Sequence, residues 1–324
     1  MKATADAGAN IALIKYWGAR DAALHLPLND SVSFTLDTAR TTTTVTFDPE
    51  LPADTLEIGG APAPPAALAR ASGHLDHLRR LAGVETRARV VSENTFPMGT
   101  GIASSASAFA ALTAAAAAAL RLELDRRDLS RIARLGSGSA ARSIEGGFVW
   151  WYAGEDHAAS FAEQLAPPDH WALRDLVAVV ATEEKAVGSA KGHLLAGTSP
   201  FLSTRLAQVA RQLPFVRRAI LERDLAALGP VIETDALAMH FVMMSSTPPL
   251  FYWAPATITL IKATQHWRTA GLPVYFTIDA GPNVHLICEA PAAPAVEREL
   301  RALPEVLDVI VAAPGPGVIL QQTA

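Results

Sequence analysis

The stretch Pro97-Met98-Gly99-Thr100-Gly101-Ile102-Ala103-Ser104-Ser105 has the residue types of an anion cradle. Two glycines are free to take positive φ, and Ser104 and Ser105 stand where the alanine-rich run to Leu122 should begin a helix. A helix N-terminus presents unpaired N–H groups and about half a positive charge, which together hold a phosphate. The same residues also serve as an ordinary serine-capped loop, and the stretch alone does not choose between the two. It is neither G-x-x-x-x-G-K-S/T nor G-x-G-x-x-G, so two familiar nucleotide motifs are excluded.

A second small-residue segment, Gly136-Ser137-Gly138-Ser139-Ala140-Ala141-Arg142-Ser143, sets a guanidinium beside hydroxyls and backbone N–H groups. That set suits a two-pronged grip on a carboxylate or phosphate, and the plain alternative is a helix start with a surface arginine. Asp279 ends the apolar run 275–278 in an Asp-Ala-Gly-Pro turn. It is either a turn residue or a carboxylate held partly desolvated as a base. Asn10 precedes an apolar stretch and Lys15 interrupts it; a charge there needs a partner or ligand, or else snorkels to water. The single cysteine, Cys288, excludes an intramolecular disulfide and a Cys-based metal site, and its apolar run, 284–288, reads as core.

The elements that must position these residues follow from periodicity. Residues 9–17 and 28–37 read as strands around a turn-rich segment, 18–27, and 41–47 continues with β-branched residues, an antiparallel opening. A helix is expected over 67–82 and a strand over 87–92 that feeds the glycine loop. Beyond the alanine helix come a short helix at 128–135 and strands at 146–152 and 176–182. Helices follow at 200–213, 215–228, 230–240 and 254–270, with strands at 275–279, 284–289 and 306–312. A length of 324 residues favours two domains, placed at 1–175 and 176–324. With 18% charged residues, a net charge of -5 and basic residues in ones and twos, no nucleic-acid partner is expected. No apolar stretch reads as a signal peptide, and the alanine helix reads as core rather than a membrane span, so the expected location is the cytoplasm.

Five segments in order resemble the mevalonate diphosphate decarboxylase and phosphomevalonate decarboxylase branch of the GHMP kinase superfamily. They are Asn10 to Gly18 (NIALIKYWG), Leu28 to Ser33 (LNDSVS), Gly101 to Ala108 (GIASSASA), Gly136 to Ala140 with Arg142-Ser143, and Asp279 to Asn283 (DAGPN). The resemblance implies an α+β, two-lobed GHMP kinase-like fold with the active-site cleft between the lobes. It also implies ATP and Mg²⁺ as cofactors, a phosphorylated mevalonate as small-molecule substrate, and a homodimer. In such enzymes ATP phosphorylates the tertiary 3-hydroxyl, and loss of phosphate and carbon dioxide then leaves an alkene. By resemblance, Asp279 is the base or orienting group, Arg142 the clamp on the carboxylate or a neighbouring phosphate, and Asn10 a donor to the carboxylate. Ser105 would serve the transferring phosphate and the metal, with Pro97, Gly99, Gly101 and Ser104 around the nucleotide and Lys185 a phosphate-side cation. Ser137 and Ser139 would meet the substrate phosphate, and Lys15, Tyr16 and Trp17 would line the same pocket.

The departures bear on substrate choice. Relatives acting on the diphosphate usually read K-Y-W-G-K, and here the last position is Ala19; the arginine that some relatives carry is Ala190, and a usual methionine is His193. The nucleotide loop also has Met98-Gly99-Thr100 where T-A-A is common. One missing cation points to (R)-5-phosphomevalonate giving isopentenyl phosphate as the expected reaction. The alternative is 5-diphosphomevalonate giving isopentenyl diphosphate, with Arg20 replacing the lysine; a further alternative is a mevalonate-type kinase that stops before decarboxylation.

Overall fold

This computed structural model describes residues 1–96, 104–182 and 187–321. In chain order come β1 (Lys2–Ile14), the hairpin strands β2 (Ala19–Asp21) and β3 (Leu26–Pro27), β4 (Ser31–Phe47), β5 (Thr55–Ile58) and β6 (Ala61–Pro62). Then follow α1 (Pro65–Ala82), β7 (Ala88–Asn94), α2 (Ser104–Ala119), α3 (Arg126–Gly136), α4 (Ala140–Ser143), β8 (Phe148–Trp151) and β9 (Ala162–Ala166). The rest comprises β10 (Leu173–Val179), α5 (Ser189–Leu195), α6 (Leu202–Glu222), α7 (Leu225–Met244), α8 (Pro255–Thr269) and β11 (Val274–Thr277). It closes with β12 (Val284–Glu289), α9 (Ala293–Arg301), β13 (Asp308–Ala312) and β14 (Ile319–Gln321).

The first sheet runs β14-β1-β4-β7-β5-β6, with β8 and β9 continuing from β4. β1 and β4 pair antiparallel from Lys2 opposite Thr46 to Ile14 opposite Val32. Threonines at 41–44 and 46 suit a long pleated strand because their branched side chains pack well there. Ala5 and Ala7 of β1 share a core with Ala110, Ala114 and Ala117 of α2. Short side chains on both surfaces let helix and sheet approach closely, which is why an alanine-rich segment serves as a buried core helix here.

The second sheet, β11-β12-β10-β13, is all antiparallel. One core joins the lobes: Ile11, Val32 and Phe34 from the first sheet pack in the same cluster as Val177 of the second sheet, Val209 and Ile220 of α6, and Leu228 and Ile232 of α7. The last strand, β14, crosses back to pair with β1.

Two helical expectations shift. Breaks expected at Pro214 and Pro230 do not occur, since both prolines lie inside continuous helices. The real break is at Arg223, left-handed with φ 59°, followed by Asp224, whose carboxylate caps α7 by accepting the Ala227 N–H at 2.9 Å. Burial of Val209, Val216 and Ile220 holds α6 together past its proline. By length and apolarity α7 is long enough to cross a membrane, but 56% of its apolar window is buried and it carries Glu233, Asp235 and His240 inside the protein.

Candidate active site

Chain and packing bring Lys15 and Asp279 together from opposite lobes. Lys15 follows the end of β1, and its Nζ donates to Asp279 Oδ1 at 2.6 Å and to the Ala12 carbonyl at 2.7 Å. The Lys15 side chain is 2% exposed while that of Asp279 keeps 25%, so the carboxylate is the member open to a ligand. Burial alone would raise the Asp279 carboxyl, but Lys15, His285 and Arg142 outweigh it and hold it below the usual carboxylate range. Asp279 is therefore ionised and able to accept a proton or orient a hydroxyl. Its turn is fastened by Asn283, whose Oδ1 accepts the Val180 and Ala181 N–H groups, and by Thr257, which donates to the Pro282 carbonyl at 2.6 Å.

Arg142 sits in the short helix α4 and is 4% exposed. Its Nε donates to Asn10 Oδ1 at 3.0 Å and Nη1 to Ser31 Oγ at 2.8 Å, leaving Nη2 without a protein partner among the described residues. Burial pulls the guanidinium down to about 10 against the opposing pull of Asp279, so it is cationic at neutral pH. Asn10, expected to donate to a substrate carboxylate, instead gives its amide hydrogens to the Ser139 carbonyl at 3.1 Å and Ser143 Oγ at 2.7 Å. It is 2% exposed and stands behind Arg142, aiming it.

These groups open on a cleft of about 300 Å³, lined on one side by Ser105, Ser137 and Ser139. Ser105 Oγ lies 3.2 Å from Ser137 Oγ, which lies 3.5 Å from Ser139 Oγ, a row of hydroxyls at the start of α2. Ser104 opens that helix but is not on the lining. Tyr16 and Trp17 also line the cleft, and Tyr16 Oη and Trp17 Nε1 are buried without a partner among the described residues. A buried donor left unpaired costs about 1–3 kcal/mol, so both are free to serve a ligand or a water in the cleft. Gly138 allows this arrangement, since a Cβ there would come within 2.6 Å of the Tyr16 ring. Burial raises the Tyr16 phenol, so it remains a donor at neutral pH.

Nothing in the spacing marks two further lining residues, Arg70 and His25. Arg70 projects from α1 with its guanidinium 5.0 Å above the Phe109 ring and Nη2 donating to the Gly136 carbonyl at 3.1 Å. His25 takes a left-handed φ of 48° in the β2–β3 turn, with Nδ1 buried and without a partner among the described residues. Burial, then Arg70, lowers its pKa. His193 stacks on Tyr16 at 4.0 Å, and its Nδ1 accepts the Gly18 N–H at 3.0 Å, which places its hydrogen on Nε2. Burial pushes it down to about 3, so it is a neutral donor at working pH. Arg20, the expected substitute for the missing lysine, is exposed and absent from the lining, as is Ala19. Pro97, Gly99, Gly101 and Lys185, expected around the nucleotide, lie outside the described residues.

Among the described residues no cluster of three or more His, Cys, Asp or Glu could hold a metal. Mg²⁺ bound with a nucleotide needs few protein ligands, because phosphate oxygens and water fill most of its octahedron. The Ser105 hydroxyl fits that sparse role. Cys288 is buried core, its thiol pushed up to about 12 by burial and then by Asp175, so it is no nucleophile.

A two-lobed fold with a hydroxyl-rich helix start and a half-buried acid on one cleft is the GHMP kinase-like architecture. The chain belongs to the diphosphomevalonate decarboxylase family: residues 7–162 match the diphosphomevalonate decarboxylase-like N-terminal domain and 175–309 the mevalonate 5-diphosphate decarboxylase C-terminal domain. It is similar to the diphosphomevalonate decarboxylase of Aspergillus fumigatus, 39% identical over 87% of this chain and 75% of that one. It is also similar to the phosphomevalonate decarboxylase of Haloferax volcanii, 34% identical over 88% of each. A solved structure described as MDDEF in complex with MVAPP, AMPPCP and magnesium superposes with a TM-score of 0.94 at 38% identity, covering 100% of this chain and 99% of that one.

Proposed function

We propose that this enzyme uses ATP to decarboxylate a 5-diphosphorylated mevalonate, giving isopentenyl diphosphate for isoprenoid synthesis. The observation that carries the reading is the meeting of the ionised Asp279, the buried Arg142 and the hydroxyl row of Ser105, Ser137 and Ser139 in one cleft. ATP supplies the phosphoryl group and Mg²⁺ neutralises its charge. Asp279 would orient the 3-hydroxyl and take its proton as the new oxygen–phosphorus bond forms and the bond from that phosphorus to the ADP leaving group breaks. The C3–O bond then breaks as phosphate leaves, and the C1–C2 electrons of the departing carbon dioxide become the new double bond. Arg142 orients the carboxylate, while Tyr16, Ser137 and Ser139 offer donors to the substrate phosphates.

The diphosphate replaces the monophosphate expected from Ala19, because support from relatives falls more on the former. Arg70, with the neutral donor of His193 in the same cleft, gives the second phosphate a cation that does not depend on position 19. The monophosphate reading keeps one observation of its own, the lack of a lysine at 19 with Arg20 pointing to solvent. Comparing kcat/KM for the 5-phosphate and 5-diphosphate decides: a higher value for the diphosphate supports this reading, and a tenfold preference for the monophosphate overturns it. We further take the protein to be a cytoplasmic homodimer with lobes at 1–175 and 176–324; a monomer mass in sedimentation equilibrium would remove the dimer.

A further inference from the structure

We propose that α7 is a bracket fixing the Lys15–Asp279 pair, with Asp235 gripping the backbone of one partner and His240 the backbone of the other. Asp235 is fully buried, and its Oδ2 accepts the Lys15 N–H at 2.6 Å. Its other oxygen accepts Arg205 Nη2 at 3.0 Å, and the same nitrogen donates to the Lys15 carbonyl at 2.9 Å. Asn29 Nδ2 adds a donor to that carbonyl at 3.1 Å and its Oδ1 accepts Arg205 Nη1 at 3.3 Å. The Lys15 peptide is thus held on both sides by groups that never reach the cleft.

Five residues further along α7, about 7.5 Å of helix rise, His240 does the same for Asp279. Its Nε2 lies 3.1 Å from the Asp279 carbonyl; a carbonyl only accepts, so the hydrogen is on Nε2. The Gly281 N–H meets the same oxygen at 2.7 Å, and Trp253 packs against the imidazole at 4.9 Å between ring centroids. His240 is 1% exposed, and neither it nor Asp235 lines the cleft, whereas Met239 beside it does. One rigid helix therefore sets the distance between a cation and an anion that come from opposite lobes. Asp235 and His240 are positioning residues, acting through Lys15 and Asp279. A displacement of about 1 Å at a reacting group costs on the order of a hundredfold in rate, so such a bracket is worth measuring.

The proposal rests on Asp279 as the base. In the full-length protein with saturating ATP-Mg²⁺ and its preferred substrate, His240→Phe should lower kcat about 10- to 100-fold with both KM values within about threefold of native. His240→Gln, which keeps an N–H donor within reach, should return kcat to within about threefold of native. Placed on Asp279→Asn, His240→Phe should cost nothing more, because the group it positions has lost its charge. Asp235→Asn, which keeps an acceptor for the Lys15 N–H, should cost less than His240→Phe. If His240→Phe does not fold, His240→Asn takes its place, its shorter amide expected to lose what Gln keeps. Near-native kcat in folded His240→Phe overturns the bracket, as does an equal loss in His240→Gln, a loss in KM alone, or a further tenfold loss on Asp279→Asn. Near-native turnover of Asp279→Asn by itself refutes the functional reading instead, so the two failures are distinct.

Discussion

Neutralising Asp279 and Lys15 singly and together separates what the pair does for stability from what it does for chemistry. Asp279→Asn removes the anion 2.6 Å from Lys15 Nζ and leaves the ammonium buried with one remaining bond, to the Ala12 carbonyl. Breaking a buried pair by removing one partner costs about 3–5 kcal/mol. The Asp279 side chain keeps 25% exposure, so water takes part of the load and about 2–3 kcal/mol is the expected loss. For a chain of this size that lowers Tm by roughly 3–4 °C. Lys15→Met should cost a similar amount, since the carboxylate then faces the interior without its nearest cation. The double variant has a neutral amide beside a thioether of nearly the same length, and should recover to within about 1 kcal/mol of native. Turnover follows a different rule. Loss of the general base lowers kcat about 10²- to 10⁴-fold, and the double variant should stay at that level. Differential scanning calorimetry gives the first quantity and ADP release at saturating substrates the second. If the losses in Tm simply add, the pair is not the coupled unit its geometry suggests; if the double variant regains its rate, or Asp279→Asn keeps it, Asp279 is not the base.

Arg142→Lys should lower kcat/KM about 10- to 100-fold, because a point charge cannot serve Asn10, Ser31 and a ligand together; unchanged kcat and KM would take Arg142 out of the site. Arg70→Ala should weaken the diphosphate about tenfold to a hundredfold, the worth of one charge-assisted bond of roughly 1.5–3 kcal/mol, and the monophosphate less. Equal losses on both substrates would show that Arg70 does not meet the second phosphate. Ala19→Lys should move the ratio of kcat/KM toward the diphosphate by a similar factor, and no change would mean that position 19 is out of reach. The folded pKa of Asp279 lies below its unfolded value, so its ionised form stabilises the protein above about pH 4 and that stability is lost as pH falls further. Native Tm should therefore fall more steeply below pH 4 than that of the Lys15→Met, Asp279→Asn double variant; parallel curves would contradict the pairing.

The sequence exposes the parts of this site built from local chemistry. Glycine and serine before an apolar helix, an arginine among hydroxyls and an acid ending a strand keep their meaning wherever the chain takes them. Ser105, Ser137, Ser139, Arg142 and Asp279 are legible for that reason, and they converge on one cleft. Arg70 is not, because on a helix with other arginines its spacing matches a solvated face, and only packing turns it over Phe109 into the cleft. His25 is hidden in a turn whose left-handed backbone has no marker in a Leu-His-Leu run. Asn10 is a different case: its residue type and place allow a structural role, the resemblance gives it a substrate carboxylate, and its protein partners Ser139 and Arg142 sit more than a hundred residues away, where no local pattern shows them. The break between α6 and α7 follows the same logic, since prolines are conspicuous while an aspartate cap after a left-handed arginine is not.

On the proposed function, phosphoryl transfer and decarboxylation occur in one cleft on one substrate. The direct measurement follows ADP and carbon dioxide together from purified protein with ATP-Mg²⁺ and 5-diphosphomevalonate. Equal yields of the two, both abolished together in Asp279→Asn, are the predicted result. ADP formed without carbon dioxide would make the protein a kinase that stops at the phosphorylated alcohol, and would contradict the account.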